Sequence, residues 1–343
     1  MKKMSIIIII CLLLIICGCE VSLEKINPFV QPPKPKKEIK IGVSMATMKE
    51  DVYKIMKKSI FENRDEEKIK IIWKNANNNL EQQEKDIKSL IIDNVDIIIL
   101  HAVDTSEKGA KLVNFINKSN IPVVALDRLT QNVKVDAYIS ADNFKAGQLQ
   151  ARYLIDQLDK TGNIIILKGD KNTNVSKSIT KGNMSELKKY MGINIVKDKF
   201  HEKWSKELSK KTIKSIIDLN KDFEGILANN DQLALGAIEI LKKEKINKKM
   251  IVVGADASKE GAIAVAKEKL NATIDKMPYA LAKNAIKVAT FIARGEDWNW
   301  DRTIKNGEHN IKLVISPVKL IDKYNINSLE ERWGRLPIKE NKK

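Results

Sequence analysis

After residue 19 the chain contains no cysteine; Cys11, Cys17 and Cys19 are the full complement among 343 residues. Disulfides, thiolate metal sites and cysteine nucleophiles are therefore excluded from everything beyond the leader region. Histidine is equally scarce, and His101, His201 and His309 lack metal-ligand spacing to one another or to a cysteine. No glycine-rich phosphate loop occurs, since Gly162 and Gly169 stand alone. No motif singles out a carboxylate pair for glycoside hydrolysis. Aromatics make up 5% of the chain, and none interleaves with the basic pairs. The sequence therefore implies no enzyme, no metal and no cofactor.

Negative charge is also in deficit, leaving a formal net charge of +17, of which Lys2 and Lys3 belong to the leader. Pairs such as Lys57-Lys58, Lys188-Lys189, Lys210-Lys211, Lys242-Lys243 and Lys248-Lys249 fall mostly on the polar sides of helical patterns. That is the arrangement of solvated faces, and no nucleic-acid partner is expected.

What is present begins with MKKMSIIIIICLLLIICGC. Two lysines, an apolar stretch and small Gly18 before Cys19 have the layout of a signal peptide, here residues 1–18. The apolar run is shorter than the ~20 residues needed to span a bilayer. Ile16-Cys17-Gly18-Cys19 resembles the lipobox of bacterial lipoproteins, which implies that Cys19 carries the lipid and holds the protein at the extracytoplasmic face of a membrane. Residues 19–37, with Pro28, Pro32, Pro33 and Pro35 among charges, read as an extended tether.

From Glu38 onward, apolar runs alternate with helical periodicity. Strands are expected at Lys40 to Met45, Ile69 to Trp73, Val95 to Leu100 and Pro122 to Leu126, separated by helices. A second series of helices and strands runs from Lys145 to Ile274. Strand, helix, strand in succession builds a parallel sheet with right-handed crossovers. The fold class is accordingly α/β, with two doubly wound parallel-sheet lobes joined by a hinge.

Polar groups collect where predicted strands stop, and that edge of an open α/β sheet is where ligands bind. Asp127-Arg128 ends one strand, Asn229-Asn230-Asp231 follows another, and Asp256 and Lys276 follow two more. Carboxylate, amide and guanidinium groups suit the bracketing of vicinal hydroxyls, each of which both donates and accepts. Asn230 is read as the ligand contact here and Asp231 as the cap of the following helix. His101 is read as a satisfied histidine at the core edge.

Leu126-Asp127-Arg128, Tyr138-Ile139-Ser140-Ala141-Asp142-Asn143 and Gly147-Gln148-Leu149-Gln150-Ala151 together resemble the type I periplasmic sugar-binding proteins. Within that family the likeness is to the D-xylose-binding proteins of ABC importers, and it runs from Lys40 to about Ser316. It implies that Asp127, Arg128, Asn230, Asp256 and Lys276 contact ligand hydroxyls and the ring oxygen. Asn174 stands where relatives offer an Asn ahead of a helix, as ligand or as N-cap. Trp204 stands where they place a stacking aromatic, although a large apolar side chain also suits the core. Relatives commonly have an Arg and a Trp in the loop after the first strand, where this chain has Lys49 and Tyr53. They have another Arg where Thr180 now precedes Lys181-Gly182, and a hydroxyl cannot reproduce a guanidinium fork.

The same resemblance implies a first lobe of residues 38–140 plus about 276–309 and a second of 141–275 plus about 310–330. Residues 331–343 are left as a basic tail. The implied partners are a monosaccharide and an ABC permease. A histidine kinase or chemoreceptor served by an extracellular sugar-sensing subunit is the alternative.

Overall fold

A computed structural model describes residues 38–64 and 68–338; the predicted signal peptide, Cys19 and the tether lie outside them. The first series comprises β1 (Ile39–Met45), α1 (Asp51–Glu62), β2 (Ile69–Asn75), α2 (Leu80–Ile92), β3 (Ile97–His101), α3 (Glu107–Lys118), β4 (Val123–Leu126) and β5 (Ala137–Ala141). The second comprises α4 (Asn143–Gln157), β6 (Gly162–Lys168), α5 (Asn174–Leu187), β7 (Ile193–Phe200), α6 (Lys206–Asp218), β8 (Gly225–Ala228), α7 (Asp231–Lys243), β9 (Ile251–Val253), α8 (Lys259–Ala266) and β10 (Ala272–Asp275). The chain then returns through α9 (Pro278–Arg294), β11 (Arg302–Asn306), β12 (His309–Ser316), β13 (Lys319–Asp322) and α10 (Glu330–Trp333).

These elements form two sheets, ordered β11-β12-β5-β4-β3-β1-β2 and β13-β10-β9-β8-β6-β7. The pairs β11/β12 and β10/β13 are antiparallel and every other pair is parallel. The two-lobed α/β architecture is thus the observed one. β3 shows why parallel strands read as continuous apolar runs: all five residues are buried. Ile97 and Ile99 face α1 and α9 beside Met56, Ile60, Leu281 and Ile286. Ile98 and Leu100 face α2 and α3 beside Ile87, Leu90, Leu112 and Ile116. Each such side chain contributes about 1.5–3 kcal/mol on burial, which fixes the sheet that carries the site.

Polar residues at strand exits start the helices. Asn79, Asp142, Ser205, Asn230 and Ser258 accept backbone N–H bonds as N-caps of α2, α4, α6, α7 and α8. The helices α4 and α5 cross backbone to backbone. A Cβ at Gly147 would stand 2.0 Å from the Ile179 carbonyl oxygen, and one at Gly182 would stand 2.0 Å from that of Phe144. Only glycine permits that approach.

The chain passes between the sheets after β5, β10 and β12, and α9 packs on the first sheet, where the Ser59 hydroxyl donates to the Tyr279 carbonyl at 2.7 Å. Two expectations are corrected. Ile311 to Ile315 lie in β12, which pairs with β5 in the first sheet through Leu313↔Tyr138 and Val314↔Ile139, so the second lobe regains the chain only at β13. An apolar strand pattern carries no mark of which sheet it joins. The expected tail also has structure up to Ile338. Trp333 Nε1 donates to the Ala257 carbonyl at 3.0 Å, Leu336 is buried, and Arg332 forks onto Asp275 at 2.9 and 2.7 Å. Among the described residues no helix is long and apolar enough to cross a membrane.

Candidate ligand site

The carboxyl ends of the strands in both lobes face one small cavity of about 40 Å³. From the first lobe, Asp127 and Arg128 follow β4. Asp127 holds a left-handed backbone at φ +60°, clamped because its N–H donates to the Ile139 carbonyl at 2.7 Å and its own carbonyl accepts from Tyr138 Oη at 2.9 Å. Strain of this kind persists only where the surroundings over-determine it. Arg128, 5% exposed, donates from Nη1 to the Ala102 carbonyl at 3.0 Å and lines the cavity.

From the second lobe come Asn230, Asp256 and Trp204, with Lys276 at the crossing from β10 to α9. Lys276 Nζ pairs with Asp256 Oδ1 at 2.9 Å, and Asp256 too has positive φ, +101°. Six of the seven predicted contacts therefore line one cavity. The seventh, Asn174, does not. It is the first residue of α5, where its Oδ1 accepts from Leu129 N at 3.1 Å and its Nδ2 donates to Tyr138 Oη at 2.9 Å. Both partners belong to the first lobe, so Asn174 ties the lobes together instead of capping a helix or facing the cavity. Beside it, Thr105 donates through N and Oγ1 to the Asn172 carbonyl at 2.9 and 2.7 Å.

The roles of Asn230 and Asp231 also differ from expectation. Asn230 Oδ1 is the cap of α7, accepting from Leu233 N at 2.9 Å, while the residue still lines the cavity. Asp231 is buried under the Asp256 loop. Its Oδ2 accepts from Ser258 N and Oγ, each at 2.8 Å, and its Oδ1 accepts from Thr273 Oγ1 at 2.6 Å. Asn and Asp cap equally well, and the extended backbone of Asn230, φ −150° and ψ 171°, decides between them.

Charge in the cavity is concentrated. Burial pushes the Asp127 carboxyl up, but Lys276, His101 and Arg128 outweigh it and hold the group well below the usual carboxylate range. Burial pulls Lys276 down, and Asp256 and Asp127 more than reverse it. His101 lies behind Asp127 with Nε2 3.6 Å from Oδ2, and among the described residues neither ring nitrogen has a hydrogen-bond partner. It is not the satisfied histidine expected; burial, with Arg128, lowers it to about 4 and keeps it neutral. Its ring packs against Tyr53 at 5.1 Å between centroids. By contrast His201 is satisfied, through the Lys168 carbonyl and Thr212 Oγ1.

An aromatic ring enters from each lobe, Tyr53 and Trp204. Trp204 also packs on the second lobe's core, so both of its readings hold in part. The ring lies directly over Gly169, where a Cβ would come within 2.2 Å of Trp204 Cζ3. Gly169→Ala is expected to displace the indole, lowering any ligand affinity by at least about tenfold, the scale of one aromatic contact. Titration calorimetry of the variant checks this, and unchanged affinity would show that the ring is core alone.

Thr47, Glu50, Met56, Val175 and Leu281 line the cavity without having been predicted. Of these only Glu50 left a signal, a carboxylate where the first helix begins. Lys49 does not line this cavity, and Thr180 Oγ1 is taken up by the Ser176 carbonyl and Asn229 Oδ1. Among the described residues no His, Asp, Glu or Cys cluster is arranged to hold a metal ion.

A family model described as a periplasmic binding protein domain matches residues 41–297. The D-xylose-binding periplasmic protein of Escherichia coli (strain K12) is 27% identical over 295 residues, covering 84% of this chain and 88% of its own length. A solved ABC transporter solute binding protein from Bacillus halodurans C-125 with bound myo-inositol superposes with TM-score 0.77 at 24% identity, over 87% of this chain and 99% of that one. The fructose binding periplasmic domain of a hybrid two component system superposes with TM-score 0.76 at 21% identity, over 86% and 94%. The two structures share the fold, and the three proteins are named for three different ligands.

Proposed function

The chain belongs to the periplasmic binding protein family, whose relatives here are solute-binding proteins and not enzymes, and from that premise we propose that it is an extracytoplasmic receptor for one monosaccharide. D-xylose or a related sugar is the expected ligand, delivered to an ABC permease when the lobes close over it. Acylated Cys19 would hold the receptor at the membrane, with residues 19–37 as its tether.

The observation that carries this reading is the composition of the cavity wall. Asp127 and Arg128 from one lobe face Asn230, Asp256 and Lys276 from the other side, with Tyr53 and Trp204 offering ring faces. Planar polar groups bracket hydroxyls, and an aromatic face covers the C–H side of a sugar ring. A ligand that touches both lobes favours the state in which both sets of contacts exist. The two component relative supports a second reading, in which the same domain serves a membrane sensor.

A thermal-shift screen of pentoses and hexoses on the full chain tests the proposal. A true ligand at about a thousand times its dissociation constant should add roughly 4 kcal/mol of stability. Absence of a shift with every sugar would overturn the reading. Recovery of a chemically altered sugar would overturn it in favour of an enzyme. Binding of the liganded protein to permease or to receptor ectodomain separates the two assignments of partner.

A further inference from the structure

Cations and anions do not balance inside the cavity. Arg128 and Lys276 are the fixed cations of its walls, against Glu50, Asp127 and Asp256. Lys276 pairs with Asp256 at 2.9 Å, and Lys276 and Arg128 act together on Asp127. His101, behind Asp127, is neutral. Lys203 also borders the cavity, but its side chain is exposed, where solvent screens it. Glu50 is left over.

Glu50 sits at the entrance of α1, and among the described residues it forms no ion pair and its buried Oε2 has no hydrogen-bond partner. Burial pushes its carboxyl up, against the pull of its own backbone N–H and of Arg128, and Asp256 adds to the push. A second carboxylate oxygen in the same wall, Asp127 Oδ1, is also buried without a partner. Unpaired carboxylate oxygens out of water are costly, and the cost is removed by a cation that donates hydrogen bonds.

Resting on the monosaccharide reading, we propose that the ligand of this site is an amino sugar or amino-polyol, its protonated amine held by Glu50. An ammonium has three donors and no acceptor, the complement of an unpartnered carboxylate oxygen. The hydroxyls of such a ligand remain for Arg128, Asn230 and Asp256. A neutral sugar fills the same volume but leaves the site one charge short. Glu50 is thereby the specificity-determining residue of the cavity.

The test is calorimetric titration of the full chain at pH 7 with three pairs: D-glucosamine and D-glucose, D-galactosamine and D-galactose, 2-amino-2-deoxy-D-xylose and D-xylose. At least one amine is expected to bind about tenfold or more tighter than its neutral parent, the scale of one charge-assisted contact. Glu50→Gln should abolish that preference by weakening the amine at least about tenfold more than its neutral parent, and should not lower the unliganded melting temperature. Glu50→Asp, which keeps the charge, should retain the preference. Neutral sugars binding as well as or better than every amine would overturn the proposal while leaving the monosaccharide reading intact. A preference that survives in Glu50→Gln would overturn the role of Glu50. Failure of all six compounds to bind would overturn the proposal, and the screen of all pentoses and hexoses then decides separately whether the monosaccharide reading stands.

Discussion

Arg128→Ala is expected to cut the ligand-induced stabilisation by about two thirds or more and to weaken binding by roughly 100-fold or more, the loss of one or two hydrogen bonds from a charged donor. Among the described residues the guanidinium is committed to the fold through a single bond, Nη1 to the Ala102 carbonyl, and Arg128 lines the cavity. Its removal also strips Asp127 of one of the groups that keep it ionised. The unliganded protein should lose about 1–3 kcal/mol, because the Ala102 carbonyl is left unsatisfied. That makes the comparison quantitative. The loss in binding, read by calorimetry, must exceed any loss explained by apo stability read in urea. A variant that is destabilised yet still shows the full ligand-induced shift would make Arg128 a structural residue.

Arg128→Lys sharpens the point. An ammonium restores the charge beside Asp127 but not the planar fork. Apo stability should recover more than affinity does. Recovery of both together would mean that charge alone matters at this position.

How much of this was legible in the sequence depends on how local the cause is. Asp127, Arg128, Asn230, Asp256 and Lys276 were legible because each follows a buried apolar run, and the ends of parallel strands converge on one edge. Positions decided by tertiary geometry were not. Asn174 begins a helix at the cleft, and nothing local tells whether its amide turns into the cavity or across to Leu129 and Tyr138. The 311–315 strand is apolar enough for either sheet, and its placement follows from the register with β5. Glu50 was hidden in the charged stretch Lys49-Glu50-Asp51, where only Glu50 turns into the cavity. The positive φ of Asp127 and Asp256 was invisible, because neither is glycine and each is held by contacts from distant segments.

Asp231 supplies the largest pH-dependent effect. Its carboxyl is 1% exposed, and burial, followed by the charge of Asp256, pushes it up to about 7 from 3.8. A group whose folded pKa is raised binds its proton more tightly when folded. Its contribution to stability is present below about 4 and is lost as pH rises through about 7. A shift of about three pH units corresponds to on the order of 4 kcal/mol. His101 and His201 work in the opposite sense, since burial lowers both and their contribution grows as pH rises toward 6.5. The raw stability profile therefore mixes opposed slopes, and the informative quantity is the difference between wild type and Asp231→Asn. Asparagine resembles the protonated carboxyl and cannot ionise, so its relative stability should improve by about 3 kcal/mol from pH 4.5 to pH 8, the rest of the shift lying below that window. Urea denaturation of both proteins across that range measures it. Parallel profiles would mean that Asp231 stays in one protonation state throughout. The three donors that hold it, from Ser258 and Thr273, would then outweigh its burial. Because Ser258 follows Asp256 by two residues, protonation of Asp231 also relieves the repulsion on the carboxylate that pairs with Lys276. Ligand affinity should then carry the same midpoint near pH 7 in wild type and lose it in Asp231→Asn.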